Sequence, residues 1–248
     1  MRLLVVNPNT TQAMTDEIGR QARRYARDGT EIEAVSPPWG PASIEGHAEE
    51  ELAAVATLQL VAERAGEYDG VVIACYGDPG LYACREVSPV PVVGIAEASM
   101  LMACTVAHSF SIVTVLDRTK PLLDDVVRRY GMESRCTSVR ATGLAVLDID
   151  RDPDAAGRRI VEQARAAVEE EGAEAILLGC AGMGPLDRQV AEALGVPAID
   201  GVVAAVKALE GLHDYGLQTS RVAAFARPEP KEMKGSEPLL AAFRGVAV

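Results

Sequence analysis

Apolar runs of strand length recur along the chain, near residues 2–6, 31–35, 70–75, 91–94, 110–115, 135–140, 174–179 and 197–199. Two of them, Gly70-Val-Val-Ile-Ala-Cys75 and Ala173-Glu-Ala-Ile-Leu-Leu-Gly-Cys180, are nearly continuous rather than alternating. That pattern predicts parallel strands buried on both faces. The stretches between the runs, at 11–27, 46–66, 95–107, 118–130, 154–171, 186–194 and 202–212, are rich in Ala, Leu, Glu and Arg and long enough for helices. Alternating strand and helix predicts an α/β protein in which helices cover both faces of parallel sheets. Right-handed crossovers then bring every strand's C-terminal end to one edge, where the loops that follow form the site.

The first four runs and the second four have matching order and spacing, and the third run of each set ends in a cysteine. Internal duplication is the simplest account. It predicts two doubly wound lobes facing each other across an active-site cleft: residues 1–96 with 206–248 as the first, and 97–205 as the second. No Ser/Gly-rich linker separates them. From Arg227 onward the chain is charged and rich in turn formers, a composition that does not demand a packed structure.

Composition removes several classes of partner. With 248 residues, 48% of them hydrophobic, the chain can bury a substantial core. A net charge of −12 with no offsetting basic block argues against nucleic acid. No apolar stretch reaches membrane-spanning length, and the run after Met1 is too short for a secretory leader, so the expected compartment is the cytoplasm and no membrane partner is expected. Five cysteines at scattered spacings and three histidines match neither a disulfide framework nor a zinc site, so reduced thiols and no metal are expected.

Cys75 and Cys180 occupy equivalent places, each ending an apolar run before a glycine-rich turn. A lone cysteine there packs as a small hydrophobe, but a matched pair points to paired thiol chemistry. Asp78, Pro79 and Gly80 read as an N-cap and the start of a helix directly after Cys75, and Pro185 as the opening of one after Cys180. Backbone N–H groups in such turns are expected to lower a thiol's pKa. Cys84, Cys104 and Cys136 lack this setting and read as structural. The first strand ends in Asn7-Pro-Asn-Thr-Thr11, whose Thr10 or Thr11 can cap a helix; its counterpart in the second half is Thr114. Gly179-Cys-Ala-Gly-Met-Gly184 lacks the order of a dinucleotide fingerprint, and no Walker A, G-x-S-x-G or H-E-x-x-H motif occurs.

Asn7-Pro-Asn-Thr-Thr11, Gly40-Pro-Ala-Ser-Ile-Glu-Gly46, Ala74-Cys-Tyr-Gly-Asp-Pro-Gly80 and Leu178-Gly-Cys-Ala-Gly-Met183 follow in the order found in the aspartate/glutamate racemase superfamily. The chain resembles that superfamily nearly end to end, and within it the hydantoin racemases. Amino-acid racemases of the superfamily follow the first cysteine with Asn-Thr and the second with Thr-Glu, whereas Tyr76-Gly77 and Ala181-Gly182 stand here. Backbone donors in place of those side chains suit a neutral cyclic ureide better than a zwitterion.

The resemblance implies racemisation of 5-substituted hydantoins without a cofactor, with Cys75 and Cys180 as acid and base on opposite faces of C5. It implies substrate contacts from Pro8, Asn9, Ser43, Ile44, Tyr76, Gly77, Thr114, Val115, Ala181 and Gly182, with Met183 a further wall candidate. Val115 stands where many relatives carry a hydroxyl residue. His47 stands where an aromatic is frequent, which favours a polar C5 substituent. A small-molecule substrate and a homo-oligomer are implied. Allantoin racemase, a cysteine-dependent isomerase or decarboxylase of the same superfamily, and a two-lobed small-molecule binding protein remain the alternatives.

Overall fold

A computed structural model describes residues 1–149, 151–229, 232, 234 and 235. The strands are β1 (Arg2–Val6), β2 (Glu31–Val35), β3 (Gly70–Ile73), β4 (Val92–Gly94), β5 (Phe110–Thr114), β6 (Cys136–Ala141), β7 (Ile176–Leu178) and β8 (Ala198–Asp200). The helices are α1 (Gln12–Tyr25), α2 (His47–Arg64), α3 (Leu81–Val87), α4 (Ile95–Val106), α5 (Lys120–Arg129), α6 (Pro153–Glu171), α7 (Asp187–Leu194) and α8 (Gly201–Tyr215). Among the described residues two four-stranded sheets result, ordered β2-β1-β3-β4 and β6-β5-β7-β8, with every pairing parallel. The same order in both halves is the duplication that the spacing of the apolar runs predicts.

The continuous apolar runs are buried on both sides. In β1, Leu3 and Val5 face a core that continues into the second half through Ile112, Ile176 and Leu177. Leu4 and Val6 face the opposite way, against Leu60, Val61 and Leu81 of α2 and α3. A one-residue slip of β1 would therefore exchange two apolar faces, and the register is held instead by its pairing with both β2 and β3.

Two helices leave the half in which they start. α4 follows β4 but packs on β7 and β8, while α8 follows β8 and packs on β3 and β4. A Cβ on Gly70 of β3 would lie 2.9 Å from the Leu209 side chain of α8, so the missing side chain lets that helix approach the first sheet. Beyond α8 the chain returns to α3: Arg221 donates to the carbonyls of Arg85 and Ser88, and Phe225 packs on Tyr82. Most of the charged tail lies outside the described residues.

Two local expectations need correction. No helix opens directly after Cys75, because residues 76–80 form a turn and α3 starts at Leu81 behind Gly80, whose φ of +74° only glycine adopts without strain. Pro185 does not open α7 either: it lies inside a 3₁₀ segment, Ala181–Leu186, and α7 begins at Asp187.

Candidate active site

The C-terminal ends of the central strands of both sheets meet at one pocket with about 570 Å³ of unfilled space, part of it continuous with solvent. β3 contributes Ala74, Cys75, Tyr76 and Gly77 through the turn that follows it; β7 contributes Gly179, Cys180 and Ala181 in the same way. β1 brings Asn7 and Asn9, and β5 brings Thr114 and Val115. Neither cysteine forms a disulfide, and Cys84, Cys104 and Cys136 lie away from the pocket.

Of the residues suggested by sequence, Asn9, Ile44, Cys75, Tyr76, Gly77, Thr114, Val115, Cys180 and Ala181 line this pocket. Pro8, Ser43 and Gly182 do not, although a Cβ on Gly182 would lie 3.8 Å from the Cys180 Sγ. Met183 is wholly buried, and His47 is exposed at the start of α2. Tyr76 turns its hydroxyl into the core, 2.8 Å from the Ser99 Oγ of α4.

The Asn-Pro-Asn-Thr-Thr segment does something other than the expected capping. Thr11 precedes α1, but its hydroxyl donates to the carbonyl of Ala42, while the Thr10 hydroxyl donates to that of Pro41. Asn9 Oδ1 accepts from Thr11 N–H and from the Asn7 amide. The segment thereby fastens the 40–46 loop over the pocket. That loop also reaches the second half, where Glu45 Oε1 accepts from Val146 N–H at 2.8 Å and Arg118 packs on Gly46.

The thiol electrostatics reverse a second expectation. Burial pushes the Cys75 thiol up to about 12, and the opposing hydrogen bond from the Gly77 backbone is too small to offset it. Negative charge on Cys180, Glu50 and Asp78 raises it further. The turn's N–H groups do act on the sulfur, but desolvation in an apolar pocket wins.

Sequence reading missed Glu50. It sits one turn into α2, lines the pocket, and places its Oε1 where a Cβ on Gly77 would be only 2.6 Å away. Burial raises its pKa, countered by the positive charge of Arg129 and His47. The only signal in sequence was its helical spacing of four from Gly46, which became meaningful once α2 was known to start at the pocket's rim. Met14, Thr119, Leu122, Leu123 and Val146 complete the apolar wall.

Behind Cys75 lies a buried carboxylate. Asp78 is fully buried with φ +48°, and burial raises it to about 7 even though it accepts from Ala96 N–H at 3.1 Å, Glu97 N–H at 3.0 Å and the Tyr130 hydroxyl at 2.7 Å. It caps α4 and not α3, contrary to the N-cap reading of Asp-Pro-Gly. Asp200, at the end of β8, accepts from Val202 N–H at 2.8 Å, caps α8, and is raised by burial to about 6. Among the described residues no group of three or more His, Cys, Asp or Glu side chains is placed to hold a metal ion, and no helix is long and apolar enough to cross a membrane.

Residues 3–209 match the family model described as Asp/Glu/Hydantoin racemase. The chain is 48% identical over 239 residues to a hydantoin racemase of Pseudomonas sp. (strain NS671), covering 95% of each. Its structure is similar to that of allantoin racemase from Pseudomonas fluorescens, with a TM-score of 0.92, 46% identity and coverage of 95% of this chain and 100% of that one. Allantoin racemase from Klebsiella pneumoniae is similar too, with a TM-score of 0.91, 47% identity and coverage of 95% and 96%. With the match running through both repeats and both thiol-bearing turns, the chain belongs to the Asp/Glu/hydantoin racemase family and is an isomerase of the racemase type.

Proposed function

We propose that this racemase acts at C5 of 5-substituted hydantoins, with Cys75 and Cys180 as its acid/base pair and no cofactor. The observation that carries the reading is that the two cysteine-ended strands of the repeats line one pocket. Racemisation takes a proton from one face of C5 and returns one to the other, which calls for a thiolate on one side and a thiol on the other. Burial favours the neutral form of Cys75, and charge on Cys180 raises it further, so the doubly deprotonated pair is disfavoured. The roles of the two sulfurs exchange with the enantiomer bound.

The ring carbonyl beside C5 acidifies its proton, which is why two thiols suffice without an electron-sink cofactor. Negative charge then builds on the carbonyl oxygen as the enolate forms. Backbone N–H groups near Gly77 and in the Ala181–Gly182 turn are the donors for it, an interaction worth about 3–4 kcal/mol in a transition state. The apolar wall from Leu122, Leu123 and Val146 excludes water from the sulfurs.

Glu50 favours a second reading of the substrate. A carboxylate facing the pocket is an acceptor for N–H groups, and among 5-substituted hydantoins allantoin carries them on its ureido substituent. The test is optical: one enantiomer each of allantoin and of several 5-alkyl and 5-arylmethyl hydantoins is incubated with protein, with and without EDTA, and rotation is followed. Decay of rotation that survives chelation is expected, with Cys75→Ser and Cys180→Ser each inactive. Racemisation retained by either variant, or abolished by chelation and restored by a metal, overturns the mechanism.

A further inference from the structure

Each half holds a buried carboxylate between its thiol turn and the end of its fourth strand, but the two carry it on opposite sides of that gap. In the first half the carboxylate belongs to the thiol turn, as Asp78, and the residue ending the fourth strand is Gly94. In the second half the thiol turn has Gly184, and the residue ending the fourth strand is Asp200. The fit is close in both: a Cβ on Gly94 would overlap the Asp78 carboxylate, and a Cβ on Gly184 would lie 2.5 Å from Asp200 Oδ2. Each half thus has room for one carboxylate and no more. The two helices so capped begin side by side, since a Cβ on Gly201 of α8 would lie 2.7 Å from the Ile95 carbonyl of α4. Two helix N-termini held together repel through their positive ends, and a carboxylate on each offsets that.

We propose that Asp78 and Asp200 are matched positioning residues: Asp78 ties the Cys75 turn to the N-terminus of α4 through its hydrogen bonds, and Asp200, which caps α8, fixes the Cys180 turn by close packing on Gly184 and not by a hydrogen bond, since its Oδ2 there accepts none. This rests on the two-thiol reading above. The carboxylate touches no substrate and acts by fixing the turn that carries the sulfur. Loss of that lock lets the thiol drift from C5, and a misplacement of about 1 Å costs on the order of a hundredfold in rate.

The backbone permits the first half to be rebuilt in the pattern of the second. Asp78 has φ +48°, a conformation glycine prefers, and Gly94 has φ −88° and ψ 148°, ordinary for an aspartate at an N-cap. The experiment compares Asp78→Gly, Gly94→Asp and the double variant, reading kcat and KM separately, with thermal melting to confirm folding. Each single variant is expected to lose about a hundredfold in kcat with KM changed less than about threefold. Asp78→Gly removes the lock, whereas Gly94→Asp forces two carboxylates into one place. The double variant is expected to regain at least about tenfold over either single.

Losses that simply multiply, with a folded double variant, overturn the proposal. Where Asp78→Gly fails to fold, Asp78→Asn keeps the size and one acceptor, and unchanged kcat in that variant overturns it as well. Peptide-resolved alkylation of the resting protein separates this inference from the two-thiol reading. Asp78→Asn should change labelling of Cys75 at least about threefold and leave Cys180 unchanged, and Asp200→Asn should do the reverse. That pattern stands even if both cysteine variants prove active, and its absence sinks the positioning role even if both prove dead.

Discussion

The partly buried Cys75 thiol makes a prediction that can be worked through from the structure. Its pKa of about 12 lies three units above the ordinary 9, an increase set by burial and only partly opposed by the Gly77 backbone. Three units correspond to about 4 kcal/mol against forming the thiolate in the empty pocket. At pH 8 the thiolate fraction is then about one in ten thousand, compared with about one in ten for an unperturbed thiol. The perturbation is pH alone, and the assay is iodoacetamide labelling from pH 7 to 10 with Cys75 quantified by mass spectrometry of its peptide. Labelling should climb tenfold per pH unit across the whole range without levelling. The slope is the test, because steric access changes the absolute rate but not its dependence on pH. A plateau below pH 9 would refute the reasoning and mean that the N–H groups of the turn outweigh desolvation. Cys75 lines the pocket, so a hydantoin bound there covers the sulfur and labelling should also fall when one occupies the site.

Three further outcomes are expected. Glu50→Gln removes the pocket's carboxylate, so the ratio of kcat/KM for allantoin to that for a 5-alkyl hydantoin should fall by about tenfold, consistent with a lost charged hydrogen bond; an unchanged ratio excludes Glu50 from substrate choice. Asp78 titrates higher in the folded chain, about 7, than when unfolded, so its contribution to stability is present below about pH 4 and is lost as pH rises through 7. Between pH 5 and 8, urea melts of Asp78→Asn should therefore lose about 2.6 kcal/mol less stability than the unmodified protein, and parallel losses would contradict the shift. Leu209→Ala on α8 empties a buried site against Gly70 and Leu3 of the first sheet and should cost about 2–5 kcal/mol by urea denaturation; a cost below about 1 kcal/mol would show that α8 does not hold the first half.

The sheets were legible because burial on both faces leaves a mark that no neighbour can erase. Val71, Val72 and Ile73 must be apolar wherever the rest of the chain lies. The paired cysteines were legible for a related reason, since duplication puts equivalent residues at equivalent strand ends. The Asp-Pro-Gly turn misled because an N-cap signal is local, whereas the carboxylate of Asp78 was claimed by Ala96 and Glu97, residues 18 and 19 positions further on. The thiol shift misled in the same way: a turn's N–H groups can be read from sequence, but the desolvation that overrides them depends on walls drawn from both halves.

By itself the sequence determined the alternation of strand and helix, the repeat, the lack of a basic block along the chain and the matched placing of two cysteines, because each depends on periodicity, composition or spacing along one chain. Tertiary structure alone decided that Thr10 and Thr11 fasten the 40–46 loop, that Glu50 faces the pocket, that Pro8, Ser43 and Gly182 stand off its lining, and that a carboxylate of one turn caps a helix from another part of the chain. The physical reason is common to all four. They depend on which surfaces close against each other across long separations in sequence, and the free energy of that closure is shared among contacts that no local window contains.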